Sequence, residues 1–274
     1  MKRILALLLA ISMVLAFAAC DGFNSTVQPS VPTEPTVDPA PTDPSNPADP
    51  TNPADPTEPT ATEPPVETLT PSEGLKFKLN NGGKSYSVEG IGSCADTEIV
   101  IPATYNDLPV TAICESAFSG NNSIISVAIP DSVTSIGEQA FSECSLLVSV
   151  IIPDSVKVIG AYTFYLCSSL TEIHIPASLK SIGDSVFYGC SSLTEITIPE
   201  GVTSIGNEAF YECSNLSSIS IPVSMKSFGE WSFCWCGNLK NIYYGGTIAQ
   251  WEEISKGQGW DASADGYTVH YAQK

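Results

Sequence analysis

The stretch Leu193-Thr-Glu-Ile-Thr-Ile-Pro-Glu-Gly-Val-Thr-Ser-Ile-Gly206 decides how the rest of this 274-residue chain is read. Shifted by one period in either direction, it meets a near copy of itself. Ile-Pro recurs at Pro130, Pro153, Pro176, Pro199 and Pro222, an interval of 23 each time. Glycine follows at Gly137, Gly160, Gly183, Gly206 and Gly229. Phe118, Phe141, Phe164, Phe187, Phe210 and Phe233 keep the same interval, as do Cys144, Cys167, Cys190, Cys213 and Cys236. A fixed period in the twenties marks a solenoid, whose units cannot bury their apolar faces alone and do so against their neighbours. Such a molecule offers a long surface and seldom encloses a pocket, which points to binding and away from catalysis.

Within one unit, Leu170, Ile173 and Ile175 fall into the L-x-x-L-x-L spacing that forms the core of a leucine-rich repeat. Side chains alternate along a strand, so Ile173 and Ile175 turn inward while Glu172 and His174 turn outward. Pro176 ends the strand because it has no N–H for the ladder. Val202 to Gly206 predicts a second short strand on another wall, with the glycine permitting a bend. Asn207 to Phe210 reads as a brief helical turn that drops the phenylalanine into the interior. Coils stacked about 4.8 Å apart align like residues into ladders, so the Phe and Ile columns are assigned to the core.

The units Ser149-Val-Ile-Ile-Pro-Asp-Ser-Val-Lys-Val-Ile-Gly160 and Leu193 to Gly206 resemble the BspA-type leucine-rich repeats of bacterial surface proteins. The resemblance covers about residues 75–274. It takes in an opening segment, Tyr86-Ser-Val-Glu-Gly-Ile-Gly92 with Ile99-Val-Ile-Pro102, and a closing one, Ile242-Tyr-Tyr-Gly-Gly-Thr247 with Trp251. Five more residues separate Pro102 from Ile113 than separate proline from isoleucine in later units. The resemblance implies a repeat solenoid of short parallel strands and brief helical turns, coiled right-handed, with atypical capping units. It also implies adhesion to host matrix proteins or to other cells. The expected division is a cap over 75–112, leucine-rich repeats over 113–243 and a second cap over 244–274.

Residues 1–74 differ in kind. Lys2 and Arg3 precede an apolar run from Ile4 to Phe17, shorter than the ~20 residues needed to span a membrane, so 1–19 reads as an export signal. Phe17-Ala18-Ala19-Cys20 resembles the lipobox of bacterial lipoproteins, although leucine is commoner than phenylalanine three places before the cysteine. The resemblance implies cleavage before Cys20 and a diacylglycerol on its thiol, which with an N-acyl group gives stable membrane anchoring. The segment from Asp21 to Gly74 holds 14 prolines, ten threonines, ten acidic side chains and no Lys or Arg. So few apolar groups cannot offset the entropy of ordering. Residues 20–74 are therefore expected to form an acylated, disordered, polyproline-like stalk, reaching roughly 170 Å at full extension.

The net charge of −19 argues against nucleic acid as a partner. Nine cysteines in an exported chain suggest disulfides, yet the five in the repeat column point the same way and read as free, buried thiols. Any disulfide is expected among Cys94, Cys114 and Cys234. Zinc is not expected, because the cysteine spacing is the repeat period and not a C-x-x-C pair with histidines. Asp261-Ala-Ser263-Ala-Asp265-Gly266 begins like a calcium loop but has Ala272 where the bidentate glutamate belongs, so it reads as a polar turn. No cofactor or metal is called for. The two histidines, His174 and His270, stand in no nucleophile–base constellation, and no enzyme activity is expected.

Two surfaces are candidates for a protein or glycan ligand. One is the outward face of the first strands: Ser126, Ser149, Glu172, Glu195 and Ser218, with Ile151, His174 and Thr197 beside them. The other is the aromatic stripe Tyr165, Tyr188 and Tyr211, with Trp231 and Trp235 near its end, since Tyr and Trp bury area at low entropic cost. The expected function is a cell-surface adhesion or recognition module, held to the membrane by lipid and away from it by the stalk. The alternative is a structural component of the envelope that binds copies of itself or wall polymer.

Overall fold

The computed structural model describes residues 69–264 and 266–272. The signal, Cys20 and nearly all of the stalk lie outside the described residues.

The described chain winds into coils of three walls. The first wall takes one strand from each coil: β3 (Glu98–Val100), β6 (Ser126–Ala128), β8 (Ser149–Ile151), β10 (Glu172–Ile173), β12 (Glu195–Thr197), β14 (Ser218–Ile221), β16 (Asn241–Tyr244) and β18 (Thr268–Tyr271). It runs as two 4-stranded parallel sheets, β3 to β10 and β12 to β18. Its register follows the repeat, with Ser126 opposite Ser149, Ser149 opposite Glu172 and Glu195 opposite Ser218. The second wall is built from two-residue strands, mostly at the Ile-Gly position, such as β7 (Ser135–Ile136), β9 (Val158–Ile159), β11 (Ser181–Ile182), β13 (Ser204–Ile205), β15 (Ser227–Phe228) and β17 (Ser255–Lys256).

The third wall corrects the expected helical turn. Its segments are runs of turns, not helix. In each coil two residues four apart take positive φ: Gln139 and Glu143, Tyr162 and Leu166, Ser185 and Gly189, Glu208 and Glu212, Trp231 and Trp235. Amide hydrogens then alternate in purpose. Those of Gln139, Phe141 and Glu143 donate to Ala161, Thr163 and Tyr165 of the next coil, while those of Ala140, Ser142 and Cys144 donate three residues back. A helix would direct every N–H along its own axis and leave the coils unlinked on this side. Spending half of them between coils satisfies buried backbone on all three walls.

Glycine in the second wall also has a different reason from the one expected. Gly137, Gly160, Gly206 and Gly229 do not need positive φ; a Cβ on any of them would lie 2.4 Å from an atom of the preceding coil. The glycines mark where backbones touch. Gly183 is the exception, with its nearest neighbour at 3.5 Å.

The interior is a set of ladders. Phe118 through Phe233 are buried to within 2% and stack ring on ring at 5.2–5.6 Å. Beside them each column thiol donates to the carbonyl of the phenylalanine one coil earlier: Cys144 to Phe118, Cys167 to Phe141, Cys190 to Phe164, Cys213 to Phe187 and Cys236 to Phe210, all at 3.1–3.2 Å. Each of these carbonyls already accepts an amide from its own coil, Asn121 for Phe118 and Cys144 for Phe141. Sulfur thus fills volume and occupies the carbonyl's second lone pair. Cys94, Cys114 and Cys234 are unpaired as well.

Both ends close the ladder. At the start, β1 (Lys76–Leu79) pairs antiparallel with β2 (Tyr86–Gly90), and β2 joins the second wall through β5 (Leu108–Ile113). The five extra residues form a hairpin, β4 (Thr104–Tyr105) against β5, turning at Asn106 and Asp107 with φ of 47° and 61°. Positive φ at both turn residues matches the twist of the strands it joins. Ser72, assigned to the stalk by composition, is buried and exchanges hydrogen bonds with Val100, so packing begins slightly earlier than residue 75. At the other end α1 (Ile248–Glu253) carries a Thr247–Gln250 capping box and lays Trp251 over Phe228, Tyr244 and Trp260.

Candidate functional site

The two candidate surfaces lie on different walls, and the aromatic one lines a groove. On the third wall, the residue after each core phenylalanine forms a second column, Ser119, Ser142, Tyr165, Tyr188, Tyr211 and Cys234, in which Ser142 and Cys234 are buried. Tyr165, Tyr188 and Tyr211 stand 4.8 and 4.7 Å apart by ring centroid, the second pair within 12° of parallel. Tyr162, from the positive-φ column, meets Tyr165 edge-on at 5.8 Å. With Trp231 and Trp235 they line an open groove of about 650 Å³, edged by Glu143 and Glu208.

The local backbone explains this placement. Trp231 and Trp235 occupy the two positive-φ positions of their coil, at 53° and 62°. That conformation directs the side chain away from the buried column and leaves the indoles 42% and 56% exposed. The conformation itself belongs to the scaffold, since it recurs in every coil and lets the Trp231 and Trp235 amides donate to Gln258 and Ala262 of the next coil; the choice of indole there does not. Exposed indoles that contribute little to the core are a feature to be expected of recognition.

The electrostatics of the groove are one-sided. Burial pushes the Tyr188 hydroxyl up to about 12, and Glu212, the flanking tyrosines and Glu208 push the same way. The Tyr211 hydroxyl is likewise raised, by burial first and then by Cys234, Glu212 and Glu208, while its hydrogen bond from the Trp235 indole lowers it. Both tyrosines therefore stay neutral donors over the physiological range, in a negative field.

The strand face is more varied. Glu172, His174, Glu195 and Thr197 are exposed, Ile151 and Ser218 half-buried. Ser126 and Ser149 are only 5% exposed, which removes them from any contact surface as free groups. Glu172 is raised from the usual carboxylate range by burial and then by neighbouring Glu195, so this patch too is acidic. Toward the end of the wall, His270 stacks on Tyr243 at 4.8 Å and holds the Asn241 side chain at 2.9 Å.

The turn resembling a calcium loop is occupied by its own chain. The Asp261 carboxylate accepts a 2.6 Å hydrogen bond from the Tyr267 hydroxyl. Among the described residues no group of three or more His, Cys, Asp or Glu side chains is placed to hold a metal. The ladder thiols are held protonated by burial, Cys144 pushed up to about 11 and Cys236 to about 12, the reverse of what a nucleophile needs. Sequence reasoning missed Tyr162, Glu143 and Glu208. Aligning the two positive-φ columns coil by coil, rather than the Phe column alone, would have found them.

These walls, ladders and end caps define a leucine-rich-repeat solenoid. Residues 92–191 and 157–255 match the six-copy BspA type leucine rich repeat region, and the chain belongs to that family. Among solved structures, the leucine rich repeat protein of T. pallidum is similar at 28% identity and a TM-score of 0.65, over 76% of this chain and all of that one. A leucine rich cell surface protein of Faecalibacterium prausnitzii aligns at 20% identity and a TM-score of 0.41, over 70% of this chain and 98% of that one. No curated protein matches the sequence. The family and fold are those of protein-interaction modules. No helix among the described residues is long and apolar enough to cross a membrane.

Proposed function

We propose that this chain is a cell-surface recognition module, exported, lipidated at Cys20 and carried on its proline-rich stalk, that binds a protein ligand displayed by host tissue or by neighbouring cells. The observation that carries the reading is the groove along Tyr165, Tyr188 and Tyr211, with the two exposed indoles of Trp231 and Trp235 at its end. The backbone does not call for indoles there, because the same two columns hold Gly120, Gln139, Glu143, Gly189, Glu208 and Glu212 in other coils. The strand face from Ile151 to Thr197, including Glu172, His174 and Glu195, is a second contact area. Phe17-Ala18-Ala19-Cys20 supports the anchor, and the 14 prolines between Asp21 and Gly74 support the spacer.

Immobilised full-length chain, presented with purified matrix proteins, wall glycans and its own soluble copy, tests the reading. Saturable binding to a protein, weakened by Trp235→Ala, is expected. Binding only to its own copies or to wall polymer would instead establish a structural component of the envelope. Mass analysis of the exported chain is expected to find Cys20 as the acylated first residue; an unmodified Cys20 contradicts the anchor.

A further inference from the structure

The groove's chemistry selects among classes of ligand. The three tyrosines cover one another's faces, so they offer edges and hydroxyls, not open platforms on which a sugar ring could lie. Open aromatic surface belongs to Trp231 and Trp235. Carboxylates supply the only formal charge on the lining, and no Lys or Arg is among the residues that form it. Glu212 adds to this field from the same coil as Glu208, close enough to act on the Tyr188 hydroxyl. Indole faces attract cations, guanidinium above all, and carboxylates grip guanidinium through paired hydrogen bonds.

Spacing sharpens the choice. Glu143 and Glu212 occupy the same position in coils three apart. At about 4.8 Å per coil they are separated by roughly 14 Å, which an extended peptide covers in about four residues at ~3.4 Å each. Residues i and i+4 of such a peptide fall on one side. We propose that the groove binds an extended polypeptide segment bearing arginine or lysine at positions i and i+4, one cation near Glu143 and the other between Glu212 and the Trp235 face. The inference rests on the surface-recognition reading and names its ligand. The net charge of −19 draws such a segment in from a distance.

The test titrates the full chain with synthetic nine-residue peptides, followed by calorimetry and tryptophan fluorescence. One peptide carries Arg at i and i+4 in a Ser/Thr/Val background, and its twin carries Gln at both places. A neutral N-acetylglucosamine hexasaccharide is the third probe. The Arg peptide is expected to bind at least tenfold more tightly than its twin, with affinity falling as salt rises. Trp235→Ala and the double variant Glu143→Gln/Glu212→Gln should each cost tenfold or more. The double variant alters exposed carboxylates only, so it remains informative if the tryptophan variant folds poorly. Equal binding of the twin overturns the proposal, as does saccharide binding in the groove that ignores the carboxylates. If the Arg peptide fails while a surface protein is still captured, only this inference falls. If the peptide binds but no surface protein does, the recognition reading falls instead.

Discussion

Phe187 and Tyr188 are neighbours in the chain and belong to two ladders that could hardly differ more. The phenylalanine column is filled by the same residue from Phe118 to Phe233, each ring buried and stacked on the next. The column one residue later holds serine twice, tyrosine three times and then Cys234. Both ladders have the pitch of the solenoid. The inner one has no freedom, because any smaller ring leaves a void and any larger one collides with two coils. The outer one changes from coil to coil within the same fold. The columns that never vary therefore hold the molecule together, and specificity belongs to the columns that do.

The strongest way to break this comparison is to open a hole in the inner ladder. Phe187→Ala should cost about 3–5 kcal/mol, read from denaturant unfolding. A loss under about 1 kcal/mol would mean that the column is not the core it is described as. A pair of glycine variants comes next. Gly206→Ala drives a Cβ into Asp184 of the previous coil and should destabilise by about 1–3 kcal/mol, whereas at Gly183→Ala the new Cβ meets its nearest atom at an ordinary contact distance of 3.5 Å and the change should stay within about 0.5 kcal/mol. Similar losses at both would return glycine to the role of a bend.

Alkaline pH probes the thiol ladder more gently. The native state holds Cys144 and Cys236 protonated up to about 11 and 12, while unfolded thiols ionise near 9. A group raised on folding stabilises below its unfolded value and loses that contribution as pH climbs. Stability should thus decline between pH 9 and 12, and less so when Cys144 and Cys236 are both replaced by alanine, a comparison made by thermal melts across that range. An unchanged slope would place the decline elsewhere. The smallest expected effect on stability is the most telling one. Trp235→Ala removes a side chain that is 56% exposed and should change stability by no more than about 0.5 kcal/mol while weakening partner binding tenfold or more.

The repeat made the solenoid, the two strand walls and the Phe ladder legible before any coordinates, because a fixed period is a statement about which atoms lie above which. What the residues alone did not disclose was backbone conformation. Gln139, Tyr162, Glu208 and Trp231 give no sign of positive φ, being types that seldom adopt it, so the third wall read as a helix. The same blindness turned contact glycines into bending glycines. It also hid the Cys-to-Phe carbonyl bonds, since a thiol in an apolar column looks like packing. At the site, the tyrosine stripe was visible in the sequence. The groove was not, because Glu143, Tyr162, Glu208 and the two indoles reach it from two other columns. Ser149 looked like a surface residue by alternation alone and proved to be buried.

Hydrogen exchange of the full chain, with and without the surface protein it captures, tests the division between scaffold and recognition most directly. Slowed exchange along the third wall is predicted, at the amides of Tyr162 to Leu166, Ser185 to Gly189 and Trp231 to Trp235, with the second wall unchanged. Protection confined to the second wall around Val158, Ser181 and Ser204, and absent from the aromatic groove, would contradict it.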